Sequence, residues 1–171
     1  SLDFKIVSKM FSKLVNEVRE GEFPKVHFLH GNLSTSHMNS LYRDKSIKAL
    51  LAPTRGEGYG LPILEAAVCG LPVITTNWSG HLDFMNLGKF ISLNYNLIPV
   101  TEARIDGNVF VKNAKWAMPI ESDFKEKLIK FSKKGDSIPK KWAKELSERV
   151  KEKYSFEQIS KEYSSFFKDY L

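Results

Sequence analysis

The chain has a single cysteine, Cys69, among its 171 residues. One thiol closes no intrachain disulfide, and its neighbours Ala66, Ala67 and Val68 describe a small buried side chain in a reducing compartment, so the sequence reads as cytoplasmic. No apolar run is long enough to cross a bilayer, and no charged-then-apolar opening resembles a secretory signal. Membrane contact is therefore expected only peripherally, at the inner face. Blocks of like charge are also missing: the 26 Lys and Arg are interspersed with 20 Asp and Glu, so the net charge of +6 describes a mixed, solvated surface and not a nucleic-acid interface. There is no internal repeat and no low-complexity linker. What is present, 42% hydrophobic and 27% charged residues, suits one globular domain with a substantial core. The opening SLDFKIVSKMF has no initiator Met and runs straight into helical periodicity, as expected of a piece of a longer protein.

Phe4, Val7, Met10, Phe11, Leu14, Val15 and Val18 recur at helical spacing and predict a first amphipathic helix, broken at Gly21 and Pro24. KVHFLHG then reads as a short strand closed by Gly31. Ser34 or Thr35 offers an N-cap for a helix carrying Met38, Leu41 and Tyr42. IKALLAP reads as a buried strand, GLPILEAAVCG as a helix, PVITT as a strand and SGHLDFMN as a short helix. KFISLNYNLIPV reads as a strand followed by a loop, and residues 101–119 as an irregular surface connection. Three helices close the chain from about residue 121, the last beginning at Ser155 and Gln158 with the spacing of a capping box. Strands alternating with helices imply an α/β fold, a Rossmann-like parallel sheet flanked by helices.

The most informative stretch is PTRGEGYGLPILEAAVCGLPVITT, residues 53–76. It runs from a strand through a glycine-rich turn into a helix, and in an open parallel sheet ligands bind beyond the carboxyl ends of the strands, where this turn lies. Gly58 and Gly60 let a ligand approach the backbone, and Pro62 suits the first helical position. The amides of about residues 59 to 63 would then face outward from a positive helix end, a site for phosphate. Glu57 and Glu65 repel phosphate but accept hydroxyl hydrogen bonds, Glu65 from a diol such as a ribose and Glu57 from another polyol. Phosphate between two sugars describes a nucleotide-sugar. Each element also has a plainer reading: glycines in such a turn are commonly steric, and Glu65 suits the helix dipole as a first-turn glutamate. A dinucleotide fingerprint is disfavoured, because Leu61 stands where G-x-G-x-x-G needs its last glycine and no acid lies between Glu65 and Asp83.

With those residues in place, the stretch resembles the signature of the retaining glycosyltransferases of the GT-B fold, family 4, in which two glutamates separated by seven residues surround a G-[FY]-G-L-P loop. Glu57 and Glu65 match that pair without insertion, and the similarity extends over about residues 25 to 120, including WSGHLDF and KWAMP. The resemblance implies the C-terminal, donor-binding half of a GT-B fold across residues 1–171. It implies that Glu57 contacts hydroxyls of the donor sugar and is the catalytic residue, and that Glu65 holds the ribose. The amides of Gly58, Tyr59, Gly60 and Leu61 approach sugar and diphosphate, and Gly31, Asn32 and Leu33 edge the base. It also implies no cofactor and no metal, the nucleotide-sugar being a substrate; there is no D-x-D triplet. The departing diphosphate assists proton removal from a glycan, lipid-linked or other glycoconjugate acceptor, with positive side chains stabilising its charge. Arg55 matches an arginine frequent beside the first glutamate. The N-terminal acceptor domain and the basic segment opening the donor domain have no counterpart before Ser1, so the isolated chain is expected to bind donor weakly and transfer little. The alternatives are a non-catalytic GT-B-like module that binds a nucleotide or a partner, and an epimerase or phosphorylase on the same fold.

Other residues read as structural. His30, His37, His81, Cys69 and Asp83 match no zinc spacing, and no metal is expected. Ser79, His81 and Asp83 sit too close in sequence for a hydrolytic triad and lack a G-x-S-x-G elbow. The aromatic and aliphatic residues of the final helices recur at core spacing, beside a basic face that could touch a membrane surface.

Overall fold

A computed structural model describes residues 2–18, 21, 24–134 and 137–168. The chain divides into two compact units, Ser1–Ser36 and His37–Leu171.

The first unit holds α1 (Leu2–Val18), the amphipathic helix expected from its spacing. Its Phe4 and Phe11 rings lie 5.8 Å and 6.4 Å from that of Phe28, and His30 meets Phe4 edge-on at 5.5 Å. The strand expected over KVHFLHG does not form: residues 24–30 join no ladder among the described residues, and an apolar pattern becomes a strand only with a paired neighbour.

After α2 (Thr35–Arg43), the second unit is built on a three-stranded parallel sheet of order β1 (Leu50–Ala52), β2 (Val73–Thr76), β3 (Ile91–Leu93), with Leu50 opposite Val73 and Ile74 opposite Ile91. Helix α3 (Leu61–Val68) connects β1 to β2, and the short α4 (Leu82–Met85) connects β2 to β3. β2 is central and wholly buried, as its unbroken β-branched run predicts. β1 was expected to be buried but is an edge, and Leu51 remains 45% exposed.

Two strands appear where sequence patterning indicated loop. β4 (Tyr95–Pro99) pairs antiparallel with β5 (Lys115–Pro119), Leu97 opposite Ala117, across a connection carrying a single 3-10 turn, Glu102–Arg104. Each is five residues long, and Lys115–Pro119 does not alternate in burial, so pairing and not periodicity creates them.

The helices α5 (Glu121–Lys134), α6 (Ser137–Lys153) and α7 (Phe156–Lys168) follow as expected. α6 packs on α3, placing Leu146 and Val150 in one buried cluster with Ala66, Ala67, Phe84 and Met85. The two alanines leave room for the approach, and each large side chain removed from water contributes roughly 1.5–3 kcal/mol. The end of α3 is closed twice. Gly70, at φ 74°, permits Leu71 N–H to reach the Ala66 carbonyl and Gly70 N–H that of Ala67, while Ser147 Oγ donates to the Val68 carbonyl at 2.6 Å. Only half of the expected capping box at α7 forms. Gln158 N–H donates to Ser155 Oγ at 3.1 Å, but the Gln158 amide turns to Glu162 instead.

No helix among the described residues is long and apolar enough to cross a membrane.

Candidate functional site

The loop over residues 53–60 leaves the carboxyl end of β1 and enters α3; the turn 77–81 leaves the carboxyl end of the adjacent β2. Neighbouring parallel strands therefore set the two side by side, and hydrogen bonds stitch them together. Thr75 Oγ1 donates to the Ala52 carbonyl at 2.9 Å and Thr76 Oγ1 to that of Thr54 at 2.6 Å.

Both backbone polar groups of Glu57 are taken up by the turn. Its N–H donates to Ser79 Oγ at 2.8 Å, the Ser79 hydroxyl donates to the Glu57 carbonyl at 2.6 Å, and Gly80 N–H reaches the same carbonyl at 3.1 Å. Ser79 holds this position at φ 93°, a left-handed conformation that costs a non-glycine residue about 1–2 kcal/mol. A Cβ on Gly80 would lie 2.0 Å from the Gly58 carbonyl oxygen, so only glycine allows the two backbones to meet. Gly60, at φ 84°, caps α3 directly over His81, where an added Cβ would come within 2.9 Å of the His81 Cβ and 3.6 Å of the Glu57 Cβ. The loop therefore folds back on itself over the turn.

His81 is fully buried, and its Nε2 lies 2.8 Å from the Thr76 carbonyl. A carbonyl only accepts, so Nε2 carries the proton. Its Nδ1 has no partner. The other buried side-chain polar atoms without a partner among the described residues are Thr54 Oγ1 and Trp116 Nε1, and Trp116 lies beneath Arg55. All three belong to residues within or against the loop, and such groups concentrate at sites that bind or strain.

The expected site residues divide between the units. Gly31, Asn32 and Leu33 are exposed residues of the first. Arg55, Glu57, Gly58, Tyr59, Gly60, Leu61 and Glu65 belong to the second and lie along its loop and helix. No described backbone carbonyl accepts from the amides of Gly58, Tyr59, Gly60 or Leu61 at the positive end of α3; Gly58, Tyr59 and Leu61 are exposed and their amides available, whereas Gly60 is buried. The available set is shorter than the sequence indicates, because Ile63 N–H is spent on the Gly60 carbonyl at 3.0 Å and Pro62 has none. Glu65 lies beyond the first turn of α3, which contains no acid, so the dipole does not account for it. Its carboxylate faces the phenol of Tyr42: burial, then the Glu65 charge and hydrogen bond, push the phenol pKa up.

Tyr59 meets Phe84 edge-on at 5.4 Å, and partial burial followed by the neighbouring Tyr154 phenol raises its pKa. That ring contact anchors the loop on α4. Arg55 does not extend free: its guanidinium lies 4.8 Å from the Trp116 ring centre, and its carbonyl accepts from Ala117 N–H at 2.9 Å. β5 thus braces the loop, through a contact no sequence spacing encodes.

Sequence reasoning weighed Ser79 only as a triad member and gave Gly80 and Trp116 no role at the site. The Ser-Gly pair carried a turn signal, but its closeness to Glu57 comes from strand adjacency. His81 is bonded to Thr76 and not to Ser79 in a relay, consistent with setting the triad aside. Among the described residues no three His, Cys, Asp or Glu side chains gather to hold a metal ion.

A probable sucrose-phosphate synthase of Thermosipho melanesiensis is 29% identical over 125 residues, which make up 73% of this chain but 22% of that relative. The chain therefore spans about a fifth of that protein's length. No solved structure gives a significant match. The family model described as glycosyl transferases group 1 matches residues 6–104, a span that contains β1, the loop, α3 and the clamping turn and makes up more than half of the chain. The chain belongs to that family, the GT-B-type glycosyltransferases of group 1.

Proposed function

We propose that this chain supplies the nucleotide-sugar donor site of a retaining glycosyltransferase, working with an acceptor-binding domain to pass a sugar to a glycan, lipid or other glycoconjugate. The observation that carries this reading is the run of amides at Gly58–Leu61 that no described backbone carbonyl takes up, flanked in sequence by Glu57 and Glu65, in a chain of this family.

The amides and the positive end of α3 receive the diphosphate, Glu65 accepts from the ribose hydroxyls, and Glu57 accepts from hydroxyls of the transferred sugar. In transfer, the acceptor oxygen bonds to the anomeric carbon as the bond from that carbon to the diphosphate breaks. The acceptor proton passes to the departing diphosphate oxygen on the same face. Negative charge grows on that diphosphate, where preoriented amides stabilise the transition state more than the ground state. Arg55 is the nearest sequence candidate for a further positive charge, and leaving Trp116 would release it.

The test is calorimetric titration with UDP, GDP and ADP, repeated on Glu65→Ala. One nucleotide should bind preferentially, and the variant should lose about tenfold to a hundredfold in affinity, the worth of a hydrogen bond to a charged group, about 1.5–3 kcal/mol. Unchanged affinity would remove the ribose role from Glu65.

A further inference from the structure

We propose that Ser79 is a positioning residue for Glu57, fixing through its hydroxyl the backbone from which the Glu57 side chain reaches the donor sugar; this rests on the donor-site reading above.

The loop has no ladder of its own, so its backbone groups must find partners elsewhere. At Glu57 both partners come from one turn, and Ser79 Oγ serves both at once, accepting from the N–H at 2.8 Å and donating to the carbonyl at 2.6 Å. An alanine or a glycine at 79 leaves the Glu57 N–H without its partner. Gly80 N–H, at 3.1 Å, then holds the carbonyl alone.

The backbone at 79 makes the assignment sharper. At φ 93° glycine is the unstrained choice, yet the chain carries a serine. The side chain that imposes the strain is the one that makes the bridge. Gly56 adds to the enclosure, since a Cβ there would sit 3.6 Å from Ser79 Oγ. The turn is itself rooted, with Asn77 N–H on the Leu93 carbonyl at 3.0 Å and His81 on Thr76. Ser79 is thus the link between a turn rooted in the central strand β2 and the loop that carries Glu57. It acts through Glu57 and is given no contact with the donor.

The experiment compares wild type, Ser79→Ala and Ser79→Gly in the full-length protein by two readouts. The first, without ligand, is hydrogen exchange at the Glu57 amide. Both variants should exchange about tenfold faster, the scale of one net hydrogen bond. The second is the affinity ratio of UDP-glucose to UDP, with the GDP and ADP pairs alongside. Both variants should lower the ratio for the nucleotide that binds, because the sugar-directed contact is displaced. If Ser79 served stability alone, the unstrained Ser79→Gly would restore both readouts, and that result overturns the proposal. So does wild-type exchange at Glu57 in Ser79→Ala. If the wild type binds none of the nucleotides, the donor-site reading fails, and the exchange readout decides the clamp by itself.

Discussion

The phenol of Tyr42 on α2 faces the carboxylate of Glu65 on α3, and burial together with that charge and hydrogen bond raises the phenol pKa. Glu65→Gln removes the charge and leaves the burial, so the Tyr42 pKa should fall part of the way toward about 10. A phenolate absorbance titration, with Tyr42→Phe as the difference reference, checks this, and an unmoved titration would rule out the pairing. The sign for stability follows from the same shift. With the folded value raised, the contribution is complete below about pH 10 and is lost as pH rises through the folded value.

Gly80 and Gly58 separate packing from binding. Gly80→Ala drives a Cβ to 2.0 Å from the Gly58 carbonyl oxygen, so the loop must shift, and denaturant unfolding should show a loss of about 1–3 kcal/mol. A Cβ on Gly58 meets nothing within 4 Å. Gly58→Ala should therefore stay within about 0.5 kcal/mol of wild-type stability while weakening nucleotide binding, since its methyl group crowds the available amides. A Gly58→Ala protein that binds normally would place the ligand elsewhere.

Asp123 is the acid-sensitive tie between α5 and the β3–β4 junction. Its Oδ2 accepts from Asn94 N–H at 2.8 Å and its Oδ1 from the Asn94 side-chain amide at 3.0 Å, and Lys127 Nζ lies 2.8 Å away while also donating to the Ser92 carbonyl at 2.6 Å. Burial alone would raise its pKa, but these bonds and the lysine charge outweigh it and hold the carboxyl low. A depressed folded value contributes stability above the unfolded value of about 3.9 and loses it as pH falls through the folded one. Asp123→Asn should flatten that acid limb in a melting-temperature series from neutral pH downward. An unchanged limb would assign the acid sensitivity to other carboxylates.

Glu57→Ala should divide the ligand in two. Affinity for the free nucleoside diphosphate should hold, whereas the nucleotide-sugar should lose about tenfold or more as its hydroxyls lose a charged acceptor. Equal losses for both, measured by paired titrations, would contradict a sugar-directed role.

Much of the second unit was legible because its signals are local. The VITT run read as a strand, Pro62 marked the start of α3, and Gly70 marked its end. KVHFLHG carried an equally apolar pattern and formed no strand, since a strand exists only through a partner. β5 failed in the opposite sense: Lys115–Pro119 has no period, and its ladder with Tyr95–Pro99 makes it a strand.

The sequence by itself determined the chemistry at hand: which glycines, which glutamates, and their order between a strand and a helix. These follow from side-chain identity and spacing along one chain, and they sufficed to raise the donor-site reading. Tertiary structure alone decided what holds that chemistry in place. Ser79 bridges Glu57 from 22 residues away, Gly80 lies under Gly58, and Trp116 lies under Arg55. Each depends on which strands become neighbours, and a one-dimensional pattern carries no record of distance between residues that only folding brings together.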